Sequence, residues 1–507
     1  MRDGKGIAKN TAILYVRMLV LLLISLYTTR VVLDALGVVD YGLYNVIGGV
    51  VVAVGFLTGT MNTASARFIT VALGKGEKEN VRLTFGNVLI VNILLALLVV
   101  IVCETLGLWF LHEKMVIPEK RMDSAFWVFQ ISTLSVALNI VAIPYNACII
   151  AHERMKAFAY ITLIDGVGKL VVAFALTQTE NVDKLILYAA LLALIHVLDQ
   201  VIYVVYCGRN FFETHLKWKM DSGILTRMAK FISWAAYGSL VSIGFTQGLN
   251  ILINLFFGPA INAARGISVQ IQTYVSMFTN NFQMAINPRI MKSVAQDDLE
   301  ETRQLLKLSS KLSFFLLSIV GVPLLFVVPQ LLGLWLKEVP PHTVSFVRLM
   351  VIISIFSSVA NPLRIINQAE GNIRKFQLCE CTMLLMIVPV SWLFLKKYNI
   401  PELVYIVHLT IELIANWIRV WVVMPKVRMR WTYYLSKIYL PPVVALMATL
   451  ALCLLANNLF LPSITGRLGM LLTSEAILLL FACLIGMDKE ERHAAMAFIK
   501  SKIKSRT

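Results

Sequence analysis

Residues Val88 to Cys103 read VLIVNILLALLVVIVC, with Asn92 the one polar side chain in the run. Polar and apolar residues do not alternate, as they would in a strand of an outer-membrane barrel. There is also no polar stripe of the kind that marks the wet face of a soluble helix. With its flanks the run reaches the ~18 or more residues that carry a helix across a ~30 Å hydrocarbon core. A chain crossing lipid has to satisfy its own backbone hydrogen bonds, which selects a helix here. Met18–Tyr27 and Leu471–Met487 read the same way.

Working outward from that run, about fourteen stretches have the length and composition of membrane-spanning helices. They cover 11–36, 41–72, 83–111, 123–151, 157–178, 183–207, 229–257, 262–288, 310–336, 343–369, 376–395, 402–425, 438–460 and 467–487. Composition agrees: 58% of the 507 residues are hydrophobic and 15% charged, against roughly 25% charged in a soluble domain. The first apolar stretch lacks a small-residue cleavage site and carries Arg17 and Arg30, so it reads as a retained span. Seven scattered cysteines read as small apolar fillers, and Cys379 and Cys381 are too close for an ordinary zinc pair.

The net charge of +17 would suggest nucleic acid in a soluble protein. Here the basic residues fall in short loops on alternate sides. The loops sharing a side with both termini hold roughly thirty Lys and Arg, and the opposite loops roughly nine. The positive-inside rule therefore puts both termini in the cytoplasm and excludes a nucleic-acid partner as the explanation of the charge. The tail over 488–507 reads as a basic amphipathic helix on the anionic leaflet, or as a solvated charged tail. No loop exceeds about 23 residues, which leaves no room for a folded domain outside the membrane.

The chain repeats itself. Pro144, Ala151 and Lys156 recur as Pro362, Ala369 and Arg374, each 218 residues later. Gly37…Arg67 is echoed by Gly258…Arg289 at nearly the same offset. The expected fold is an all-α polytopic membrane protein with two six-helix lobes, a parallel internal repeat, and two further helices. The expected boundaries are 1–207, a loop over 208–228, then 229–425, 426–487 and the tail over 488–507. In parallel-repeat transporters the substrate sites lie between the halves.

Charges inside spans are costly, at ~2.5–3.5 kcal/mol each on insertion scales, so each needs a reason. Arg17, Arg30 and Arg67, with Arg265 of the polar eighth span, are candidates for binding an anion, because a guanidinium fork suits a phosphate. Gln247 and Gln272 are candidates to line the same wet cavity. For Arg17, Arg30 and Arg67 the plain alternative is snorkelling to an interface. Arg30 could instead pair with Asp34, and the amides could join helices. Candidates for ion coupling are Asp34, Asp165 beside Lys169, Asp199 near His196, and Glu412 with His408 one turn away. Glu412, central in its span, is the first choice. His408, Glu412, Asn416 and Arg419 share one helical stripe, which reads either as a proton relay or as an internal polar seam. No HExxH, Walker or GxSxG motif is present, so the chain reads as no enzyme, with no cofactor and no metal.

Several motifs, in order, resemble a known family. They are Leu36-Gly37 with Asp40-Tyr-Gly-Leu-Tyr-Asn45, Ser65-Ala-Arg-Phe-Ile69, Ile143-Pro-Tyr-Asn-Ala147 and Ala151-His-Glu-Arg-Met-Lys156. Ala263-Ala-Arg-Gly-Ile267, Ile286-Asn-Pro288, Asn361-Pro362 and Gln368-Ala369 follow. Together they resemble the bacterial O-antigen type flippases of the multidrug/oligosaccharidyl-lipid/polysaccharide exporter superfamily. The resemblance implies transport of a polyprenyl-pyrophosphate-linked oligosaccharide across the bacterial inner membrane, for surface polysaccharide and lipopolysaccharide synthesis. It implies membrane lipids and other polysaccharide-assembly proteins as partners, with a proton or Na⁺ as the coupling ion. It also points to Asp34, since related exporters use a carboxylate in the first helix. A multidrug or small-solute antiporter of the same fold is the alternative. A membrane O-antigen polymerase or ligase is the alternative of another class, and it would need a sizeable external loop.

Overall fold

The computed structural model describes residues 4–53, 56–113, 117, 119–179, 182–215, 219–336, 339–457, 464–488 and 491–492. Among them the regular structure is entirely helical. In chain order the helices are α1 (Gly4–Ala53), α2 (Phe56–Lys75), α3 (Lys78–Val102), α4 (Met122–Ala151), α5 (Met155–Thr177) and α6 (Lys184–Asn210). Then come α7 (Ser222–Ala295), α8 (Leu299–Trp335), α9 (Thr343–Ser358), α10 (Ala360–Glu370), α11 (Arg374–Leu385) and α12 (Ile387–Tyr398). Last are α13 (Leu403–Val423), α14 (Leu440–Asn457) and α15 (Ile464–Phe481). Apart from Asp488 and 491–492, the charged tail lies outside the described residues.

Among the described residues eleven helices are long and apolar enough to cross a membrane, and the bent pair α9–α10 would make twelve. The chain is thus a multi-pass membrane protein. Two further expected spans do not stand among the eleven: 41–72 runs across residues 54–55, which lie outside the described ones, and 262–288 is helical but too polar. They occupy the stretch ending in α2 and the second part of α7. Several expected loops are shorter than the charge pattern suggested. The loop over 289–311 shrinks to a turn, because Asp298 caps α8 by accepting from the Glu301 N–H at 2.9 Å.

The chain forms two compact units. One comprises 1–239 with 284–296, the other 240–283 with 297–507. In the first unit, Ile47, Phe129, Ile140 and Leu185 build one core, and Val32, Ala173 and Leu176 a second. In the second unit, Leu249, Ile253, Phe346, Ile387 and Tyr405 build the core.

Local geometry recurs at the spacing of the sequence echo. Gly37 bends α1 at φ 78° and Gly258 bends α7 at φ 78°, both with extended ψ. Only glycine adopts that backbone cheaply. Past the end of α4, Glu153 is left-handed at φ 58°; 218 residues later Gly371 is left-handed at φ 96° past α10. Before and within α4, Arg121 and Ser124 both donate to Asp183, the N-cap of α6, at 2.8 and 2.6 Å. Before and within α9, His342 and Ser345 both meet Glu402, the N-cap of α13, at 2.5 and 2.9 Å. Each clasp ties the start of one helix to the start of another through an acid.

Candidate functional site

In the first unit a cluster of ionisable side chains forms where α1, α5 and α6 approach. Asp165 and Lys169 lie one turn apart on α5, and the Lys169 ammonium donates to Asp165 Oδ2 at 2.8 Å. Asp199 on α6 is buried, with Asp165 as an electrostatic neighbour of its carboxyl. Two carboxylates hydrogen-bond only when they share a proton, because two like charges so close cannot both ionise. Asp165 Oδ1 is buried with no hydrogen-bond partner in the protein. Around the pair, His196 interacts electrostatically with both Asp165 and Lys169. Tyr203, one turn beyond Asp199, interacts with Asp199, Asp165 and Arg17. The Arg17 guanidinium stacks over the Phe158 ring at 4.5 Å, and its Nε is buried without a hydrogen-bond partner.

The remaining first-unit candidates behave differently. Arg67 is buried, with its guanidinium 4.5 Å from the Phe68 ring centroid and 5.0 Å from that of Phe231. Arg30 and Asp34 are both exposed, and no ion pair joins them.

In the second unit Arg265 is 3% exposed. Its Nε donates to Asn250 Oδ1 at 2.5 Å and its Nη2 to the Thr246 carbonyl at 3.0 Å. Asn250 in turn donates to Gln247 Oε1 at 2.9 Å, so Gln247, Asn250 and Arg265 form one chain of amide and guanidinium groups. Ser268 and Tyr405 exchange a hydrogen bond at 3.3 Å beside it. Gln272 is half-buried, outside that chain. His408 packs edge-on against Phe245, with Arg265 and Glu412 as its electrostatic neighbours.

Glu412 sits in an ion network. Arg419 donates from Nη1 to Glu412 Oε1 at 2.7 Å and from Nε to Glu380 Oε1 at 2.7 Å. Asn416 accepts from Arg419 at 2.6 Å, and Arg364 reaches Glu380 at 2.7 Å. Arg419 is fully buried. Glu412, Asn416 and Arg419 of the stripe therefore form a hydrogen-bonded seam on α13, joined to α10 and α11, with His408 outside the hydrogen bonds.

Sequence reasoning missed Glu380 and Arg364, whose signal was a pair of opposite charges near two apolar spans. It also read Cys148 as filler, whereas the Cys148 thiol donates to Glu213 Oε1 at 3.1 Å. A buried cysteine looks apolar in a sequence until the residue facing it is known.

Outside the spans the two clasp acids are tuned alike. Burial pushes the Asp183 carboxyl up, but hydrogen bonds from Ser124 and the Leu185 N–H, with the Arg121 guanidinium, outweigh it and hold it below the usual range. Burial likewise raises Glu402, and hydrogen bonds from His342 and Ser345 bring it below its ordinary value.

The fold is that of the multidrug and toxic-compound exporters. A crystal structure of a MATE point mutant superposes with a TM-score of 0.74 at 13% identity, covering 84% of this chain and 96% of that one. An outward-facing multidrug resistance MATE family transporter of the MOP superfamily gives 0.70 at 14%, with the same coverage of both chains. The bent form of the Vibrio cholerae MATE transporter VcmN gives 0.67 at 17%, covering 85% of this chain and 99% of that one. No curated protein matches by sequence. Residues 248–376 match a family described as Phosphoethanolamine transferase EptA/EptB. That match corrects the expectation that the chain is no enzyme, since a quarter of it is similar to a family of transferases. The motif search excluded only the chemistries that HExxH, Walker and GxSxG sequences carry, and group transfer does not depend on those three.

Proposed function

We propose that the chain is a transporter that moves a polyprenyl-pyrophosphate-linked oligosaccharide across the bacterial inner membrane by alternating access, with both termini cytoplasmic. The observation that carries this reading is the state of Arg17 and Arg265. Both lie at membrane depth, and no carboxylate pairs with either among the described residues. Arg17 rests on an aromatic face and Arg265 is oriented by amides. A cation kept there without a counter-ion favours an anionic headgroup, and a fixed guanidinium fork suits a pyrophosphate. Arg67, framed by Phe68 and Phe231, is a further guanidinium held against aromatic rings.

The coupling role is best filled by Asp165 and Asp199. A carboxyl pair sharing one proton changes charge when that proton leaves, and that is what coupling to a proton gradient needs. Glu412 is already neutralised by Arg419, which does not lose its charge.

The test is headgroup translocation in proteoliposomes containing the purified chain. Arg17→Lys and Arg265→Lys should each slow flipping at least ~10-fold while leaving thermal stability in detergent unchanged, because Lys cannot reproduce the planar fork. Full flipping by both Lys variants would refute the assignment. The fold neighbours favour a second reading, an ion-coupled multidrug antiporter. Efflux of organic cations without any flipping of the pyrophosphate lipid would establish that reading instead. The match over residues 248–376 favours phosphoethanolamine transfer, which release of labelled headgroup from phosphatidylethanolamine by the purified chain would reveal.

A further inference from the structure

At one end of the first unit, three potential metal ligands converge from two chain segments. Cys148 lies in the last turn of α4, and His152, one helical turn later, caps that helix with its N–H on the Cys148 carbonyl at 3.0 Å. The spacing of four puts both side chains on one face. Glu213 arrives from the short turn Phe212–Thr214 that follows α6. That turn is pinned by the Phe211 N–H and the Thr214 hydroxyl, both donating to the Cys207 carbonyl, at 2.8 and 3.1 Å.

We propose that Cys148, His152 and Glu213 form a binding site for a zinc-class divalent transition metal. The Cys148 Sγ, His152 Nε2 and Glu213 carboxylate oxygen lie within 4.8 Å of one another. Glu213 Oε1 is 3.1 Å from the thiol and 2.5 Å from the imidazole. Glu213 and Cys148 are both fully buried, and the half-buried His152 ring is held flat against Phe211, with centroids 4.2 Å apart and planes 10° off parallel.

A second, independent feature separates this cluster from an ordinary buried His–Glu pair. Glu213 Oε2 is buried and has no hydrogen-bond partner in the protein. A structural carboxylate with no exposed surface normally satisfies both oxygens, and leaving one orphaned carries its full desolvation penalty. A cation bound by the carboxylate removes that penalty. The nearby Cys207 thiol donates to the Tyr145 carbonyl at 3.4 Å and stands outside the three-ligand group.

The donor set decides the class of metal. Thiolate, imidazole and carboxylate together suit Zn²⁺ and its near relatives Co²⁺ and Ni²⁺, whereas Ca²⁺ and Mg²⁺ need cages of oxygen. With Zn–S about 2.3 Å and Zn–N or Zn–O about 2.0 Å, neighbouring ligands sit roughly 3.2–3.7 Å apart. The His152–Glu213 contact therefore opens on metal entry by roughly 1 Å. The metal takes the place of the thiol proton and of any proton shared between imidazole and carboxylate, and both leave to solvent. Bound metal would fasten the turn between α4 and α5 to the segment leaving α6.

The test uses the full-length purified chain, stripped with a chelator and then titrated with Zn²⁺ and with Co²⁺. One metal per chain is expected, with a thiolate-to-cobalt charge-transfer band in the near ultraviolet. Cys148→Ser should remove the band, and His152→Asn should weaken Zn²⁺ binding at least ~10-fold. Cys379→Ser, well away in sequence, should change neither. Where Cys148→Ser yields no folded protein, the parent spectrum and His152→Asn decide. No stoichiometric binding by the parent, or an unchanged Zn²⁺ affinity in His152→Asn, would overturn the proposal, as would a cobalt band that survives Cys148→Ser.

Discussion

The two units each place a pair of carboxylates within their membrane spans, and they neutralise them by different means. In the second unit, Glu412 and Glu380 face Arg419 and Arg364, so two permanent cations balance two anions. In the first, the one ammonium near Asp165 and Asp199 is Lys169, which pairs with Asp165, and the proposed coupling role has the two acids share a proton. On that proposal both clusters are neutral, but only one owes its neutrality to a group that can leave. A guanidinium does not titrate at physiological pH, so the second cluster is locked. A shared proton exchanges with whichever side gains access to it. The lesson is that a carboxylate's depth in the membrane says little about its task until its partner is known.

The harshest way to break the comparison is to remove the lock. Arg419→Leu strands Glu412 and Glu380 in a dry interior, and losing one partner of a buried pair costs about 3–5 kcal/mol. Loss of the monodisperse peak in size-exclusion chromatography, or a fall of many degrees in melting temperature, should follow. Asp199→Asn should by contrast leave melting nearly unchanged, because the amide can donate to Asp165 as the protonated acid does. A milder change tests whether the units are built alike. Gly37→Ala and Gly258→Ala should each destabilise by about 1–3 kcal/mol, since both impose a side chain at φ 78°. Unequal losses, with one bend tolerating alanine freely, would show that only the other is required.

The two clasps allow a finer comparison. Asp183→Ala removes an N-cap that accepts from the Leu185 N–H at 2.9 Å, together with its bonds to Arg121 and Ser124, and should cost about 1 kcal/mol or somewhat more. Glu402 makes no capping bond to its own helix, so Glu402→Ala should cost less. The smallest effect is that of pH. Both acids are held below their ordinary values, so each adds stability that is fully present above about pH 4 and is lost as pH falls through the lowered value. Melting temperature followed from pH 6 to pH 3 should fall less steeply in the Asp183→Ala and Glu402→Ala variants than in the parent.

The sequence made the helices legible because lipid leaves so few choices. A run such as Val88–Cys103 can only be a spanning helix, and even the polar spans were framed by turns on both sides. The bends at Gly37 and Gly258 were visible as an echoed motif, though not as bends. Partnerships between helices were much less legible. Asp165 with Lys169 could be read from a spacing of four, but the approach of Asp199 depends on how α5 and α6 pack. The stripe of Glu412 and Arg419 reads in sequence as a relay or a polar seam, and Glu380, 39 residues away from Arg419, gives no local sign of joining it. Cys148 and Glu213 lie 65 residues apart, beyond anything local pattern can join.

The central claim, that the chain flips a pyrophosphate-linked saccharide using the proton held by Asp165 and Asp199, meets its most direct test in proteoliposomes with an imposed pH gradient. Translocation of the lipid-linked saccharide should be followed in the parent and in Asp199→Asn. The gradient should accelerate the parent and leave the variant unaffected, with equal rates for the two when no gradient is applied. Equal acceleration of both proteins by the gradient would contradict the account.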